Sequence, residues 1–239
     1  MPSNPHCTYR QPLPTILAMN KAFLLAIIFL QIALSINGQI FIDSTIISID
    51  TATIDGKFYT AFYKTDNHLY VKNLKDSLIF ESPDCYYNFE FNDFNGDHRK
   101  DIIVHYLSNI PAVQDLILYD TITKSFVPII GFNRFPDPKS IPGTKYFYSY
   151  HRSGCADMNW DSDLFYIEEF KIVKIGTISG RECNNEGIKD GIYIYKINGK
   201  NTSLFNTLPI DTIINYKEYK WGFISEYWNS NYRLFDNNK

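Results

Sequence analysis

The chain has 239 residues, of which 45% are hydrophobic and 21% are charged, and its formal net charge at pH 7 is −3. These values exclude a disordered chain, a collagen-like repeat and a basic nucleic-acid-binding protein, so no nucleic-acid partner is expected. Aromatic residues make up 16% of the chain, with 18 Tyr and 18 Phe, and this excess favours β-structure over a helix bundle.

The N-terminal segment has the pattern of an export signal. Lys21 supplies a positive charge, residues 22–34 form an apolar stretch, and small residues follow up to Gly38. We interpret residues 1–38 as a leader that contains a signal peptide over residues 19–38.

The predicted leader sets the expected location of the mature chain. As a helix, its apolar stretch would span about 20 Å, and a hydrocarbon core is roughly 30 Å thick. We therefore predict no stable membrane span after leader removal, with a membrane anchor as the alternative. The mature chain, residues 39–239, is expected in the periplasm or outside the cell, and Met19 is a second candidate for the start of translation.

Short runs of aromatic and β-branched residues alternate with turn signals along the mature chain. Asp55-Gly56 and Asn198-Gly199 separate such runs and predict two-residue hairpin turns. The pattern predicts an all-β fold, a propeller-like or sandwich array of short antiparallel strands, in a single β-rich domain over residues 39–239. The predicted strands are 58–63, 68–74, 78–80, 87–91, 102–107, 116–119, 146–151, 164–170, 172–178, 192–197 and 204–208.

The C-terminal segment, residues 216–235, differs from the strand pattern. Its large apolar residues partly follow helical spacing, which predicts a short terminal helix. We expect their stripe to cover the core, and a ligand site is the alternative. The residues of the stripe are Trp221, Ile224, Tyr227, Trp228 and Tyr232.

One stretch, DFNGDHRKD over residues 93–101, carries oxygen ligands at odd spacing. Side chains at alternate positions of a tight loop can converge on one point, and hard oxygen ligands suit Ca²⁺. We predict a structural Ca²⁺ site, with an Asx-turn that holds no metal as the alternative. The predicted ligands are the side chains of Asp93, Asn95, Asp97 and Asp101 and the main-chain carbonyl of Arg99.

The loop differs from an EF-hand in two ways. Position 12, which holds a bidentate Glu in an EF-hand, is Val104 here, and the flanking segments resemble strands. Position 6, where Gly usually provides a positive φ, is His98, a residue that adopts this conformation more readily than most.

Three cysteines remain in the mature chain. Cys155 and Cys183 lie in polar, glycine-containing connections, and we predict a disulfide between them, the default in an oxidising compartment. Cys85 is predicted to be a half-buried free thiol. His151 precedes Cys155 by four residues, so a Cys/His nucleophile is the alternative interpretation.

An acidic, aromatic cluster gives the sequence one hydrolase-like feature. Asp157, Asp161 and Asp163 lie around Trp160, and such carboxylates can serve a glycosidase. Solvated loop acids are the favoured interpretation, because nothing in the sequence indicates a raised pKa. No HExxH, GxSxG or GxxxxGK[ST] motif occurs in the mature chain, and no catalytic residue is assigned.

Two segments carry a resemblance to known families. FEFNDFNGDHRKDIIV, residues 89–104, resembles the calcium loop of FG-GAP/VCBS-type β-propeller repeats. LILYDTITKSF, residues 116–126, resembles the tyrosine-bearing hairpin of periplasmic propeller-like immunity proteins. This resemblance implies a propeller-like fold, a calcium loop and inhibition of lysozyme-like, cell-wall-degrading enzymes.

These observations predict an exported, calcium-stabilised β-rich binding module that inhibits a cell-wall hydrolase or binds another envelope or secreted protein. The alternatives are a carbohydrate-binding or surface-adhesion protein, whose partner would be a glycan, and a hydrolase that uses the loop carboxylates. We expect contacts through Tyr148, Tyr150, His151 and Trp160, because Tyr and Trp dominate binding hot spots.

Overall fold

The computed structural model describes residues 43–82, 88–183 and 187–236. The predicted leader and Cys85 lie outside these residues. Two units are distinguished, Met1–Ser44 and Thr45–Lys239, and every strand and helix given below belongs to the second.

The first sheet is an antiparallel meander in which each strand pairs with the next. Asp55 and Gly56 form the two-residue loop between its first two strands with φ values of 49° and 73°. Two successive positive φ values are typical of a type I′ turn, so this predicted hairpin is confirmed. The strands are β1 (Ile46–Ile54), β2 (Lys57–Lys64), β3 (Leu69–Asn73) and β4 (Leu78–Ser82).

The second sheet repeats the same four-stranded meander. Two four-stranded up-and-down sheets in succession are typical of propeller blades. The strands are β5 (Asn88–Asn92), β6 (Asp101–His105), β7 (Gln114–Asp120) and β8 (Ser125–Pro128).

The third sheet has seven strands in the order β15-β14-β13-β12-β10-β9, and β11 pairs with β12. Its last hairpin closes through Gly199 and Lys200, one residue later than predicted, because Asn198 pairs with Asn201. The strands are β9 (Lys139–Ser140), β10 (Tyr146–Tyr148), β11 (His151–Arg152), β12 (Trp160–Glu168), β13 (Lys171–Arg181), β14 (Gly191–Asn198) and β15 (Asn201–Leu208).

The C-terminal segment forms a short helix, α1 (Lys220–Asn231), as the residue spacing predicts. Phe223, Ile224 and Trp228 are its buried residues and pack against the third sheet. In the part of the chain that the structure describes, no helix is long and apolar enough to cross a membrane.

The second sheet is apolar on both faces. On β6, Ile102 and Val104 pack against the first sheet, whereas Ile103 packs towards the third. On β7, Ile117 lies in the core shared with the first sheet, and Leu116 lies in the core shared with the third. A strand that is buried on both faces has a continuous apolar run, as these two strands have.

The predicted all-β array of short antiparallel strands with a short C-terminal helix is therefore confirmed. Sequence reasoning missed three strands, β1, β8 and the two-residue strand β9. The outward-facing residues Ile47 and Ile49 of β1 are both 58% exposed, so its apolar pattern does not alternate with burial. β8 is four residues long and ends in Pro128.

Glycine is required where the third sheet meets α1. An added Cβ at Gly180 would lie 2.1 Å from Cε2 of Trp160, whose side chain is 1% exposed. Because the indole is fully enclosed, it has no free space into which it could move.

We expect Gly180→Ala to lower the free energy of unfolding by about 3 kcal/mol, the upper part of the range for overpacked cores. Urea unfolding followed by tryptophan fluorescence measures this loss. Gly191→Ala in β14 is the control, because its added Cβ would have no atom nearer than 3.3 Å. Equal losses in the two variants would contradict the proposed clash.

Candidate functional site

The predicted calcium loop connects β5 to β6. Gly96 and His98 both adopt left-handed conformations within it, with φ values of 77° and 67°. His98 therefore has the positive φ that glycine usually provides at this loop position. Its side chain is 97% exposed, so the residue fits without a steric conflict with the core.

Backbone N–H groups converge on the acidic side chains of the loop. Asp93 accepts hydrogen bonds from Gly96 N at 2.8 Å and from His98 N at 2.9 Å. Asn95 Oδ1 accepts from Asp97 N at 3.0 Å, and Asp97 Oδ1 accepts from Arg99 N at 2.8 Å. These Asx-type bonds explain why Asp and Asn occur at alternate positions, since each fixes the backbone that follows it.

Asp101 connects the loop to the body of the second sheet. It is the first residue of β6 and is 1% exposed. Its Oδ1 accepts from Tyr119 N at 2.9 Å, and its Oδ2 accepts from Phe94 N at 3.2 Å. Burial raises the pKa of Asp101 to about 7, and the negative charges of Asp97 and Asp93 act in the same direction.

The side chain of Arg99 links the loop to the first sheet. Its Nε donates to Asp55 Oδ1 at 3.1 Å, and Asp55 lies in the β1–β2 turn. Lys124 Nζ donates to the other carboxylate oxygen of Asp55 at 3.4 Å. The guanidinium of Arg99 thus ties the loop to the β1–β2 turn of the first sheet.

The acidic side chains do not form a closed cluster of carboxylates. Within residues 43–82, 88–183 and 187–236, no group of three or more His, Cys, Asp or Glu side chains has an arrangement that could hold a metal ion. The hydrogen bonds explain this result, because several carboxylate oxygens are directed towards backbone N–H groups of the loop.

The predicted disulfide is confirmed, with an S–S distance of 2.11 Å between Cys155 and Cys183. The side chain of Asn159, which is 4% exposed, supports it. Asn159 Oδ1 accepts hydrogen bonds from Glu182 N at 3.1 Å and Cys183 N at 3.2 Å. Because both sulfur atoms are bonded to each other, Cys155 is not available as the alternative Cys/His nucleophile.

The chain around Cys155 has an uncommon backbone conformation. Gly154, Cys155, Ala156 and Asp157 have consecutive positive φ values of 108°, 50°, 51° and 78°. Each non-glycine residue in this region costs roughly 1–2 kcal/mol. Such strain persists only where surrounding contacts impose it, and it occurs preferentially at functional sites.

Asp157 and Lys220 provide such contacts. Lys220 Nζ lies 2.8 Å from Asp157 Oδ2 and donates to the Asp157 carbonyl at 2.7 Å. Tyr150 donates its hydroxyl to Asp157 Oδ1 at 2.5 Å. Burial opposes ionisation of this carboxylate, but the hydrogen bonds from Lys220 and Tyr150 outweigh it and lower the pKa of Asp157. The first turn of α1 is thereby tied to the strained turn.

The other two acids of the predicted hydrolase cluster are also paired. Asp161 lies 2.9 Å from Arg181 Nη2, and Asp163, which is 5% exposed, lies 2.7 Å from Lys174 Nζ. Both side chains also accept hydrogen bonds from hydroxyl groups on β13. Each of the three carboxylates therefore has a cationic partner, and this geometry gives the hydrolase alternative no free carboxylate among them.

The predicted contact surface needs correction. Trp160 is 1% exposed and Tyr150 is 8% exposed, because both rings pack into the core between the third sheet and α1. They cannot present an exposed binding face. Tyr148 and His151 remain partly exposed, and the Tyr148 hydroxyl donates to Ser225 Oγ of α1 at 3.1 Å.

The exposed aromatic residues nearby come from a different part of the chain. Tyr219 is 61% exposed, Trp221 is 47% exposed and Met158 is 44% exposed. We call these three residues the aromatic patch. The Lys220–Asp157 contacts bring their segments together, and the Trp221 ring centroid lies 5.7 Å from that of Tyr150. From the sequence, Trp221 is expected to belong to a stripe that covers the core. No local sequence pattern indicates that residue 157 lies beside residue 220 in space.

Comparisons with known proteins identify no family. No family model matches the chain, and no curated protein matches it. A solved structure of a Xanthomonas protein related to the type IV secretion system is similar at TM-score 0.43 and 13% identity, covering 69% of this chain and 95% of that one. The Dos1 propeller is similar at TM-score 0.29 and 14% identity, covering 63% of this chain and 45% of that one.

The lowered pKa of Asp157 makes a pH-dependent prediction. A carboxylate with a lowered pKa in the folded state adds stability above its unfolded value, near 3.8, and this stability disappears as the pH falls through the lowered folded pKa. We expect Asp157→Asn to cost about 2 kcal/mol at pH 7, the range for hydrogen bonds to charged groups. Urea unfolding should show a smaller difference in unfolding free energy between the wild type and Asp157→Asn below pH 3.8 than at pH 7.

Asp211→Asn is the control for this measurement, because Asp211 is exposed. It should change the unfolding free energy little at either pH. A cost of Asp157→Asn that stayed constant from pH 7 to acid would contradict the ion-pair explanation.

Proposed function

We propose that the protein is an exported, calcium-stabilised β-rich binding module that acts on another envelope or secreted protein. The observation that carries the proposal is the aromatic patch held beside a disulfide-bonded, strained turn. Trp, Tyr and Met are enriched in protein interfaces. Once a partner covers them, Trp and Tyr are among the residues that contribute most to the binding free energy.

The surroundings of the patch favour tight binding. The Cys155–Cys183 disulfide and the Lys220–Asp157 ion pair hold the two segments of the patch in fixed positions. A surface that is ordered before binding loses less conformational entropy when a partner docks. Arg152, with its side chain 49% exposed and its Nε 3.8 Å from Asp157, adds a polar group of the kind found at interface rims.

Export is supported by the disulfide, since such bonds persist mainly in oxidising compartments. With the predicted leader, this favours the periplasm or the extracellular space. The resemblance of residues 116–126 to propeller-like immunity proteins makes a cell-wall hydrolase the first partner to test. Inhibition of that enzyme is the corresponding activity.

Calcium binding by the loop is the second part of the proposal. The carboxylates of Asp93, Asp97 and Asp101 belong to one short segment but do not form a closed cluster in this structure, and Asp101 is almost completely buried. In the described residues, neither Asp97 nor Asp101 forms an ion pair with Lys or Arg. Burial of a carboxylate is costly without a compensating charge, and a divalent cation with oxygen ligands supplies it. Asn95 and the carbonyl of Arg99 would complete the ligand set.

We expect calcium to raise the melting temperature and EDTA to lower it. With a dissociation constant of about 10⁻⁴ to 10⁻³ M, a tenfold to hundredfold excess of free calcium should add about 1.4 to 2.7 kcal/mol of stability. This corresponds to roughly 2–4 °C for each kcal/mol in a chain of this size. Thermal melts of the mature chain in calcium and in EDTA measure the effect.

Asp97→Ala should abolish the response to calcium, because it removes a ligand from the middle of the loop. Asp190→Ala is the matched control, since this exposed aspartate lies outside the loop and should leave the response intact. Identical melts of the wild type in calcium, magnesium and EDTA would refute the calcium site.

The partner proposal predicts that Trp221→Ala weakens binding about thirtyfold, the effect of losing a typical hot-spot residue. The mature chain, residues 39–239, serves as bait for envelope and secreted fractions, and a captured hydrolase is then purified. Calorimetry of the purified pair gives affinity and stoichiometry, and release of soluble peptidoglycan fragments reports inhibition.

Ile122→Ala provides the control for this experiment. Ile122 is 89% exposed but lies in the β7–β8 turn, so its loss should change the affinity less than twofold. A one-to-one complex that Trp221→Ala leaves unchanged would show that the patch is not the contact surface. The absence of any stoichiometric complex would refute the partner proposal itself.

A further inference from the structure

A cleft of about 290 Å³ lies between the second and third sheets. On one side it is lined by the β5 and β6 residues Glu90 and His105 and by Gln114 of β7. On the other side it is lined by Lys139 of β9 and Phe147 of β10. The aromatic patch contributes none of its lining residues.

Strand alternation explains why the cleft is polar. On β7, Leu116 and Leu118 face the third sheet, and Gln114 occupies the same face two residues earlier. On β6, Ile103 is followed on that face by His105, which pairs with Gln114 in the register of the sheet. The apolar core between the sheets therefore gives way to polar side chains at this end, and the space between the sheets remains open.

Gln114 is the most informative residue of the cleft. It is only 8% exposed, and its side-chain amide has no hydrogen-bond partner among the described residues. The amide atoms are not sealed from solvent, since Ser48 Oγ is the only fully buried, unpaired side-chain atom in that part of the chain. A buried polar group normally finds a partner. Gln114 thus holds two N–H donors and one carbonyl acceptor at the floor of the cleft.

Two pairs involve charged groups of the cleft, and the carboxylate of Asp93 also lines it. His105 Nε2 lies 3.3 Å from Glu90 Oε1, and Lys139 Nζ lies 2.8 Å from Asp137 Oδ1. His105 carries a charge only when protonated, so the carboxylates of Glu90, Asp93 and Asp137 outnumber the cationic groups of the lining. Carboxylate oxygens accept hydrogen bonds from hydroxyl groups, and the Gln114 amide adds two N–H donors. This combination suits a ligand with several hydroxyl groups.

One wall adds apolar surface. The Phe147 ring stacks on Phe94 with a centroid distance of 4.8 Å, and both rings line the cleft. Phe94 and its neighbour Asp93 belong to the calcium loop, so this loop also forms part of the wall. Small-ligand sites combine such apolar walls with a few convergent polar groups.

We propose that this cleft binds one ring of a neutral saccharide. Each sugar hydroxyl donates and accepts a hydrogen bond, so it can donate to Glu90 or Asp137 and accept from Gln114 or Lys139. Phe147 is stacked on Phe94 and on Phe165, so the carbon-bound hydrogens of the sugar ring would pack against Phe94, which is only partly buried. The volume of the cleft, about 290 Å³, is close to the lower limit of small-ligand pockets and admits a single sugar ring.

The test is an NMR titration of the ¹⁵N-labelled mature chain with glucose, galactose and N-acetylglucosamine, each as the free monosaccharide. We expect at least one sugar to shift the side-chain NH₂ resonances of Gln114 saturably, with a dissociation constant in the millimolar range for a ligand of this size. L-argininamide is the cationic comparison. Saturation by argininamide without a response to any sugar, or no saturable shift at all, would overturn the proposal.

Gln114→Met tests the role of the amide, because methionine has a similar length and lacks the polar atoms. It should weaken sugar binding at least tenfold and leave the melting temperature unchanged or raised, since it removes a buried polar group without a partner. Asn206→Met on the exposed strand β15 is the control and should retain full binding. Unchanged binding by Gln114→Met would refute the site.

A second variant decides the question if Gln114→Met does not fold. Glu90→Gln alters the exposed wall, where the side chain is 48% exposed, and should fold normally. At least a threefold loss of sugar affinity would support the cleft, and an unchanged affinity would overturn it. None of these outcomes depends on the protein partner of the aromatic patch.

Discussion

Burial of the second sheet on both faces is the constraint on which the rest of the structure depends. Its central strands place Ile102 and Val104 against the first sheet and Ile103 against the third. A single sheet thereby contributes to two hydrophobic cores. Each square ångström of apolar surface that it buries there stabilises the fold by about 25 cal/mol. The polar loops at its ends are exposed because the strand centres occupy the interior.

The same sheet also positions the two proposed ligand sites. The calcium loop connects β5 to β6, and the saccharide cleft begins where β6 and β7 change from apolar residues to His105 and Gln114. Asp93 belongs to both, because it lies in the loop and also lines the cleft. Calcium in the loop would therefore also hold one wall of the cleft, a coupling that follows from their shared residue.

The sequence was most informative where the determinants are local. Neighbouring residues account for the φ of His98, the Asp55-Gly56 turn and most strands. The disulfide was predicted from the polar, glycine-containing connections in which Cys155 and Cys183 lie. Two of the four predicted contact residues, Tyr150 and Trp160, are buried, because strand alternation does not show which face α1 covers. The Lys220–Asp157 pair and the cleft could not be predicted, since both depend on packing between distant segments.

Asp101 shows how a local loop can affect the whole assembly. Its carboxylate is buried, which raises its pKa to about 7, and its Oδ1 accepts a hydrogen bond from Tyr119 N on β7. The Tyr119 hydroxyl lies 3.2 Å from the hydroxyl of Tyr59, a buried residue of the first sheet. A cation bound at Asp101 would thus act through these hydrogen bonds on the contact between two sheets. Calcium in this position would stabilise sheet packing as well as the loop, which is the behaviour expected of a structural ion.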